Sequence, residues 1–234
     1  LFLVNGVIVN ENLRGQPHEL FIEDAIKETT VLTGGVSAEY GKFTGGVVST
    51  LTKSGGNEFS GSLRDSIANP SWTEKSDYAA QVDPLDEMNE TYEGTFGGRI
   101  IHDRLWFFTA GRMEDRQTRL QLRLTNIPYV ETRENQRWEG KLTGQVTPAH
   151  NVIGSYLVSN NDHNNIVTFG PVVDLRSLTT RTQDKTLLGL SYNGVLTTNM
   201  LLEAQFSRMD DDLVRGAETR DKIEGTLLRD RSTG

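Results

Sequence analysis

Apolar and polar residues alternate along much of the chain after residue 57. In the clearest run, residues 138–146, Lys141 and Gln145 fall on one face and the bulky apolar side chains fall on the other. Alternation with a period of two predicts strands of a sheet that has one apolar and one wet face. The apolar face is predicted to carry Trp138, Leu142, Val146, Leu188, Leu190 and Tyr192.

Seven such strands are predicted, near residues 58–68, 91–101, 105–117, 136–147, 151–160, 185–197 and 200–214. The links alternate in length, long at 69–90, 118–135 and 161–184 and short at 102–104, 148–150 and 198–199. This alternation is typical of outer-membrane β-barrels, which have short periplasmic turns and long extracellular loops. The alternative is a soluble β-sandwich, whose strands are usually about five or six residues long.

The pattern therefore favours a partial antiparallel transmembrane β-barrel of about seven strands. Its apolar face would contact lipid, and its wet face would line an interior where Lys141 and Gln145 tolerate substitution. Bacterial single-chain barrels have even strand numbers of about 8 or more. Seven strands cannot close one, so we expect the chain to be part of a longer protein.

Residues 1–56 have a different pattern. Short β-rich runs occur at 1–4, 7–9, 29–32 and 45–52, and a helical stretch is predicted near 19–26. These elements predict a small α+β unit, distinct from the N-terminal part of the barrel at 57–234. We expect this unit to lie against the polar face of the sheet.

Composition narrows the protein class. Only 35% of the residues are hydrophobic, and no run approaches the roughly 18 apolar residues of a membrane helix, so a helical membrane protein is excluded. The net charge of −8 argues against a nucleic-acid partner. Cysteine is absent, so disulfide and thiolate chemistry are excluded.

The most specific sequence signal lies in residues 26–61. It contains Ser37-Ala38-Glu39-Tyr40-Gly41, then Gly45-Gly46-Val47-Val48, then Thr52-Lys53-Ser54-Gly55-Gly56-Asn57-Glu58-Phe59. This stretch closely resembles the C-terminal half of the plug domain in TonB-dependent receptors, and it looks most like the Oar-like branch. The positions that carry the plug motif are Gly34, Gly35, Ser37, Tyr40, Gly41, Gly45, Gly46, Thr52 and Lys53. Residues 92–108 resemble the second barrel hairpin of the family, with Arg99 in place of the expected proline.

The resemblance implies a protein of the bacterial outer membrane, with the C-terminal part of a plug at 1–56. It implies energised uptake of an unidentified extracellular ligand, with the TonB complex acting through an N-terminal segment that precedes residue 1. Outer-membrane lipid would surround the barrel. The alternative is an outer-membrane adhesion, secretion or assembly factor that uses the same scaffold. A TonB box in the gene would favour transport.

No constellation of catalytic residues is evident, because the four histidines are scattered and Ser37 has no recognisable partner. We therefore expect neither enzymatic activity nor a cofactor. Two acidic clusters are weak candidates for binding a hard cation such as calcium, the alternative being solvated loop charge. They comprise Asp83, Asp86, Glu87 and Glu90, and Asp210, Asp211 and Asp212.

Overall fold

The computed structural model describes residues 1–10, 15–18, 20–36, 41, 45–73, 82–168 and 174–217. Within these ranges the chain is mainly β, and its helical segments are three short 3₁₀ helices. The strands form two sheets, one of four strands and one of seven. None of the helical segments in the described ranges has the length and apolar character needed to cross a membrane.

The four-stranded sheet is built from the first part of the chain, called here the N-terminal unit (residues 1–52). Its order is β2-β1-β4-β3, with β1 at Phe2–Val4, β2 at Val7–Ile8, β3 at Ile26–Leu32 and β4 at Val47–Thr52. β1 turns into β2 through Asn5 and Gly6, whose φ angles are 49° and 80°. Two successive positive φ angles are typical of the type I′ turn that Asn-Gly favours.

The helix predicted near residues 19–26 is wrong. The described part is extended chain with one 3₁₀ turn at Glu23–Ala25, and Ile22 has φ −108° and ψ 125°. Leu20 and Ile22 are both completely buried although they lie two residues apart. That spacing puts two side chains on one side of an extended segment but on nearly opposite sides of a helix.

The seven-stranded sheet, called here the long sheet, confirms the predicted number and order of strands. They are β5 at Ser60–Ala68, β6 at Asn89–Ile101, β7 at Leu105–Gln121, β8 at Pro128–Thr147, β9 at His150–Ile166, β10 at Thr179–Thr197 and β11 at Met200–Ala217. Each strand pairs antiparallel with the one before it, giving the order β11 to β5. Among the described strands, β5 and β11 have one partner each, so the long sheet is open.

One predicted long link is wrong. Residues 118–121 extend β7 and residues 128–135 extend β8, and the two stretches pair from Thr118 with Glu131 to Gln121 with Pro128. The link is therefore only residues 122–127. The Leu122 N–H donates to the carbonyl oxygen of Ile127, and the Asn126 N–H donates to the carbonyl oxygen of Leu122. The stretches 114–119 and 131–136 are polar at every position, which hides the period of two that identifies strands elsewhere.

The two faces of the long sheet are occupied differently. Leu142 pairs with Gly154, and Gly154 pairs with Leu190, so the predicted apolar positions share one face. On that face Leu142 and Val146 are 51% and 68% exposed. The apolar face is therefore uncovered. Exposed side chains on the same face also include Trp138, Leu190, Phe96 and Phe206.

The N-terminal unit lies on the opposite face, as expected. One apolar cluster joins it to β9 and β10, and comprises Val4, Val7, Val9, Leu20, Leu157 and Leu187. A second cluster joins it to β7, and comprises Ile22, Ala25, Phe108 and Ala110. The predicted boundary near residue 56 lies in the linker between β4 and β5. The division of the chain into two domains stays a prediction.

The linker packs closely against β6 and β7 at Gly55, and a substitution there tests this packing. A Cβ atom on Gly55 would overlap the carbonyl oxygen of Phe107 and lie 2.8 Å from the carbonyl oxygen of Gly98. These are backbone atoms of paired strands and cannot move aside cheaply. Gly55→Ala should therefore destabilise the protein by about 1–3 kcal/mol, the usual effect of overpacking.

The neighbouring glycine supplies the control for Gly55→Ala. A Cβ atom on Gly56 meets none of the described residues within 4 Å, so Gly56→Ala should change stability by less than about 0.5 kcal/mol. Thermal unfolding of the detergent-solubilised protein, followed by circular dichroism, measures both variants. Equal unfolding temperatures for the two variants would show that the linker does not pack closely against β6 and β7.

Candidate functional site at the polar face of the long sheet

The face of the long sheet under the N-terminal unit, called here the polar face, is lined with charged side chains in register. Cross-strand partners form one row that crosses all seven strands: Arg64, Glu93, Arg112, Arg137, Ser159, Lys185 and Asp211. Cross-strand partners lie close enough to interact directly. Several members of the row are buried, including Glu93, Arg137 and Ser159. The polar face is therefore covered around these residues.

An arginine–carboxylate cluster joins the 3₁₀ turn of the N-terminal unit to β5, β6 and β7. Arg64 Nη2 lies 3.2 Å from both Glu23 Oε2 and Asp24 Oδ1, and it also contacts the buried carboxylate of Glu93. Arg112 Nη1 lies 3.4 Å from Glu23 Oε1 and 3.2 Å from Glu93 Oε1. The turn at residues 23–25 places two acidic side chains beside two arginines, which fixes the docked position by charge.

A second polar cluster lies under the end of β4. The Lys141 ammonium donates to the carbonyl oxygen of Thr52 at 2.9 Å and to Asn5 Oδ1 at 3.4 Å. The Thr52 hydroxyl in turn donates to Glu139 Oε1. Asn5, in the β1–β2 turn, also accepts through Oδ1 from the backbone N–H of Thr52 at 3.0 Å. Lys141 and Glu139 are thus both buried against the N-terminal unit. The expectation that Lys141 tolerates substitution conflicts with these contacts, whereas the exposed Gln145 still fits it.

Single hydrogen bonds extend the docking surface to the other strands. Arg137 Nη1 donates to the carbonyl oxygen of Phe21 at 2.9 Å. At β11, Gln205 Nε2 donates to the carbonyl oxygen of Asn5 at 3.3 Å, and the imidazole of His18 lies 3.6 Å from Asp211. The N-terminal unit therefore contacts the long sheet from β5 to β11.

Asn57 connects the linker to the first tight turn of the long sheet. Its amide donates to the Asp103 carboxylate, and its Oδ1 accepts from the Asp103 backbone N–H at 3.0 Å and from Trp106 Nε1 at 2.8 Å. Arg99, at the position where the family resemblance predicts proline, donates to the Asn57 carbonyl oxygen at 2.8 Å. The Arg99 side chain thus links the plug-like motif to the β6–β7 hairpin.

The Asn57 contact predicts a measurable pKa change. The hydrogen bond from Asn57, with a smaller contribution from His102, holds the pKa of Asp103 below its usual value. Asn57→Ala should therefore raise the pKa of Asp103. Because the folded pKa is the lower one, the stability that this contact contributes is present above the unfolded pKa and is lost as pH falls through the folded pKa.

The Asp103 carboxyl carbon can be titrated by NMR in the native and Asn57→Ala proteins. Asp174 provides an internal control, because hydrogen bonds from Arg176 lower its pKa independently of Asn57. An unchanged Asp103 midpoint in Asn57→Ala would contradict the assignment, whereas the Asp174 midpoint should stay constant.

The plug-motif residues fall in three places. Gly35 and Gly45 adopt positive φ angles of 63° and 91° in the chain between β3 and β4, which suits glycine. A Cβ on Gly46 would lie 2.9 Å from the carbonyl oxygen of Leu32, so this position also favours glycine. Among the described residues, none lies within 4 Å of a Cβ built on Gly34 or Gly41, so the described chain gives no packing reason for glycine there.

The remaining motif residues divide between docking contacts and undescribed chain. Thr52 belongs to the cluster under β4, and Lys53 Nζ donates to the carbonyl oxygen of Asp24 at 2.7 Å. Ser37 and Tyr40 lie outside the described residues. Thr52 and Lys53 therefore hold the unit together and hold it to the sheet.

The acidic candidates are not gathered into a metal site in the part of the chain that the structure describes. No group of three or more His, Asp or Glu side chains there could hold a metal ion. Asp86 accepts hydrogen bonds from Asn69 and Ser71. Asp210 and Asp212 project from the opposite face of β11 to Asp211, because strand side chains alternate. Cation binding at Asp83, Glu87 and the others stays a prediction.

Comparison with known proteins gives one partial similarity. No family model matches the chain. Over 121 residues the sequence is 30% identical to the TonB-dependent transporter Oar of Myxococcus xanthus. The aligned segment is 47% of this chain but only 11% of that protein, so the chain spans a small part of the relative it matches.

Proposed function

We propose that this chain is the docking region of a TonB-dependent outer-membrane transporter, where a plug domain meets the first strands of its barrel. The observation that carries the proposal is the unequal use of the two sheet faces. The N-terminal unit is held on the polar face by buried charges, and the apolar face is uncovered. A barrel in lipid needs that arrangement, because the outward face meets hydrocarbon and the interior is polar.

Two further observations support the proposal. The similarity to a protein named as a TonB-dependent transporter agrees with the plug-like motif of residues 26–61. The open edges of β5 and β11 are unpaired among the described strands, and further strands would close the barrel. On this proposal the chain takes up an extracellular ligand and does no catalysis, and the polar contacts loosen when TonB supplies energy.

Cell fractionation tests the proposal in the gene product that carries this sequence. We expect the protein in the outer-membrane fraction, shifted in electrophoretic mobility by heating, and crosslinked to the periplasmic domain of TonB. Recovery in the soluble fraction would contradict the whole proposal. Outer-membrane location without a TonB crosslink would contradict the transport step and favour the adhesion, secretion or assembly function.

A further inference from the structure

An open groove of about 400 Å³ lies over β6 and β7 on the uncovered apolar face of the long sheet. Its floor is formed by Gly94 and Gly111, which pair with each other and have no side chains. Leu63 on β5 and Trp138 on β8 pair with these glycines and form the two side walls. A volume of this size is within the range of about 300–1,000 Å³ that is typical of ligand sites.

The ends of the groove are also apolar or aromatic. Phe96 closes one end, and Tyr92 and Met113 lie at the other, two residues from the glycine floor on the same strands. The Trp138 ring leans over the floor, because a Cβ atom built on Gly111 would lie 2.6 Å from its Cζ3 atom. An apolar chain in the groove would therefore contact the floor and both walls, which gives more dispersion contacts than a flat face does.

Carboxylates lie just beyond the Tyr92 and Met113 end. Glu90 and Asp115 are two residues further along the same strands, roughly 7 Å away, and are cross-strand partners. Glu134 lies beside Asp115 on β8, and like charges directly opposite each other destabilise a sheet. In the part of the chain that the structure describes, no lysine, arginine or histidine forms an ion pair with these three carboxylates. This end of the groove is therefore complementary to a cation.

The carboxylates also lie at a boundary of the apolar band. Residues 114–119 and 131–136 are polar at every position, so the apolar face of β7 and β8 ends there. The Tyr92 hydroxyl donates to Glu90 Oε2 at 2.5 Å, which places this carboxylate on the side of the groove. A chain in the groove would thus have its polar end beside Glu90 and Asp115.

We propose that the groove binds one acyl chain of a lipid whose head group carries an ammonium. The chain lies on the glycine floor between Leu63 and Trp138, and the ammonium lies beside Glu90 and Asp115. Charge complementarity selects this occupant, because the carboxylates attract a cation and repel the phosphate of an anionic lipid. The inference rests on the proposed function, in which this face meets hydrocarbon.

The head group, and not the chain, gives the selectivity. Lipid tails are as apolar as the groove, so the hydrophobic effect does not favour one lipid over another within a bilayer. The carboxylates add a charge interaction that only a cationic head group makes. Lipids with the same chains but different head groups should therefore occupy the groove to different extents.

Fluorescence quenching in vesicles tests the inference with the gene product that carries this sequence. Phosphatidylcholine vesicles contain, in turn, a brominated-chain lipid with a trimethylammonium, phosphocholine or phosphoglycerol head group. Trp138 lines the groove, so the quenching that Trp138→Phe removes reports a brominated chain there. The ammonium lipid should quench Trp138 at about fivefold lower mole fraction than the phosphocholine lipid, because exposed charge contacts are individually weak.

Two outcomes of the vesicle measurement would overturn the proposal. Equal quenching of Trp138 by all three lipids would show ordinary contact with surrounding lipid. Stronger quenching by the phosphoglycerol lipid than by the ammonium lipid, with or without added calcium, would show that the head group is an anion.

Charge variants separate the groove from a general attraction to an acidic protein. Glu90→Gln/Asp115→Asn should reduce the preference for the ammonium lipid by about fivefold. Asp184→Asn/Asp212→Asn removes the same charge from the same face, at least three strands from the groove, and should leave the preference unchanged. Equal losses in the two double variants would overturn the site.

A variant that fills the groove tests the position of the chain. A Cβ atom on Gly94 would lie 3.7 Å from Leu63 Cδ1, an ordinary contact, so Gly94→Val should fold and should abolish the preference for the ammonium lipid. Gly140→Val is the matched control, because Gly140 lies on the same face outside the groove and no described residue is within 4 Å of its built Cβ. A folded Gly94→Val protein that keeps the preference would refute binding in the groove.

Failure here and failure of the proposed function are separable. The vesicle measurement requires neither TonB nor uptake of a ligand. Outer-membrane location with a TonB crosslink, but equal quenching by all three lipids, would overturn only the lipid site. Recovery of the protein in the soluble fraction would overturn the proposed function, whichever lipid quenches Trp138 after reconstitution.

Discussion

Lys141→Met should weaken docking of the N-terminal unit by about 3–5 kcal/mol, because it removes a buried ammonium with its hydrogen bonds and leaves a neighbouring buried carboxylate uncompensated. Lys141 is 7% exposed and donates to Thr52 and Asn5. Glu139, on the same face two residues earlier, is 2% exposed and accepts from Thr52. Removal of the ammonium leaves this carboxylate buried without the favourable interaction that Lys141 provides.

Hydrogen exchange at the backbone amides of β4 measures the docking. A loss of 3–5 kcal/mol corresponds to roughly a hundredfold to several-thousandfold faster exchange, if these amides exchange by local release of the unit. Gln145→Met is the matched control, because Gln145 lies on the same strand face but is exposed. Its exchange rates should match those of the native protein.

The double variant Glu139→Gln/Lys141→Met separates the buried charge from the lost hydrogen bonds. With both charges removed, no unpaired carboxylate remains, so most of the exchange protection should return. A single Lys141→Met variant that exchanges like the native protein would show that the unit is held elsewhere. A double variant as damaged as the sum of both singles would show that the charges act independently.

The sequence predicted the long sheet well because each of its strands has a local signal. Apolar side chains every second residue and short turns at 102–104, 148–149 and 198–199 define hairpins without knowledge of distant contacts. The hairpin at 118–135 was missed because the stretches 114–119 and 131–136 are polar at every position and so show no alternation. The segment at 19–26 was wrongly predicted to be helical because its apolar side chains are buried against strands of the long sheet that are distant in sequence.

The functional surfaces were harder to predict than the strands. Alternation assigned Lys141 to the polar side but could not tell whether water or another part of the chain covers that side. Only the register of β8, β9 and β10 brings Arg133, His163 and Arg181 into one row. These residues come from three strands separated by turns and loops, so no local pattern in the sequence brings them together.

Leu142→Arg should destabilise the folded protein in lipid by about 2–4 kcal/mol, the usual cost of arginine on the lipid face near the bilayer midplane. Leu142 is half exposed on the uncovered face, with Gly154 and then Leu190 beside it on the next strands. An arginine at position 142 would have no carboxylate partner in that row of the described strands. In the proposed barrel it would face hydrocarbon. Urea unfolding in lipid vesicles measures the loss.

Gln145→Arg separates lipid contact from a general intolerance of arginine on β8. Gln145 lies on the polar face of the same strand and is exposed, so an added guanidinium can reach water there and should change stability by less than about 0.5 kcal/mol. A fluorophore at position 142 should be quenched by brominated lipid, and one at position 145 should not. A soluble sandwich would also suffer from Leu142→Arg, but it would show no quenching at either position. Absence of quenching at position 142 in folded, vesicle-reconstituted protein would therefore refute the lipid-facing assignment whatever the stability of the variant.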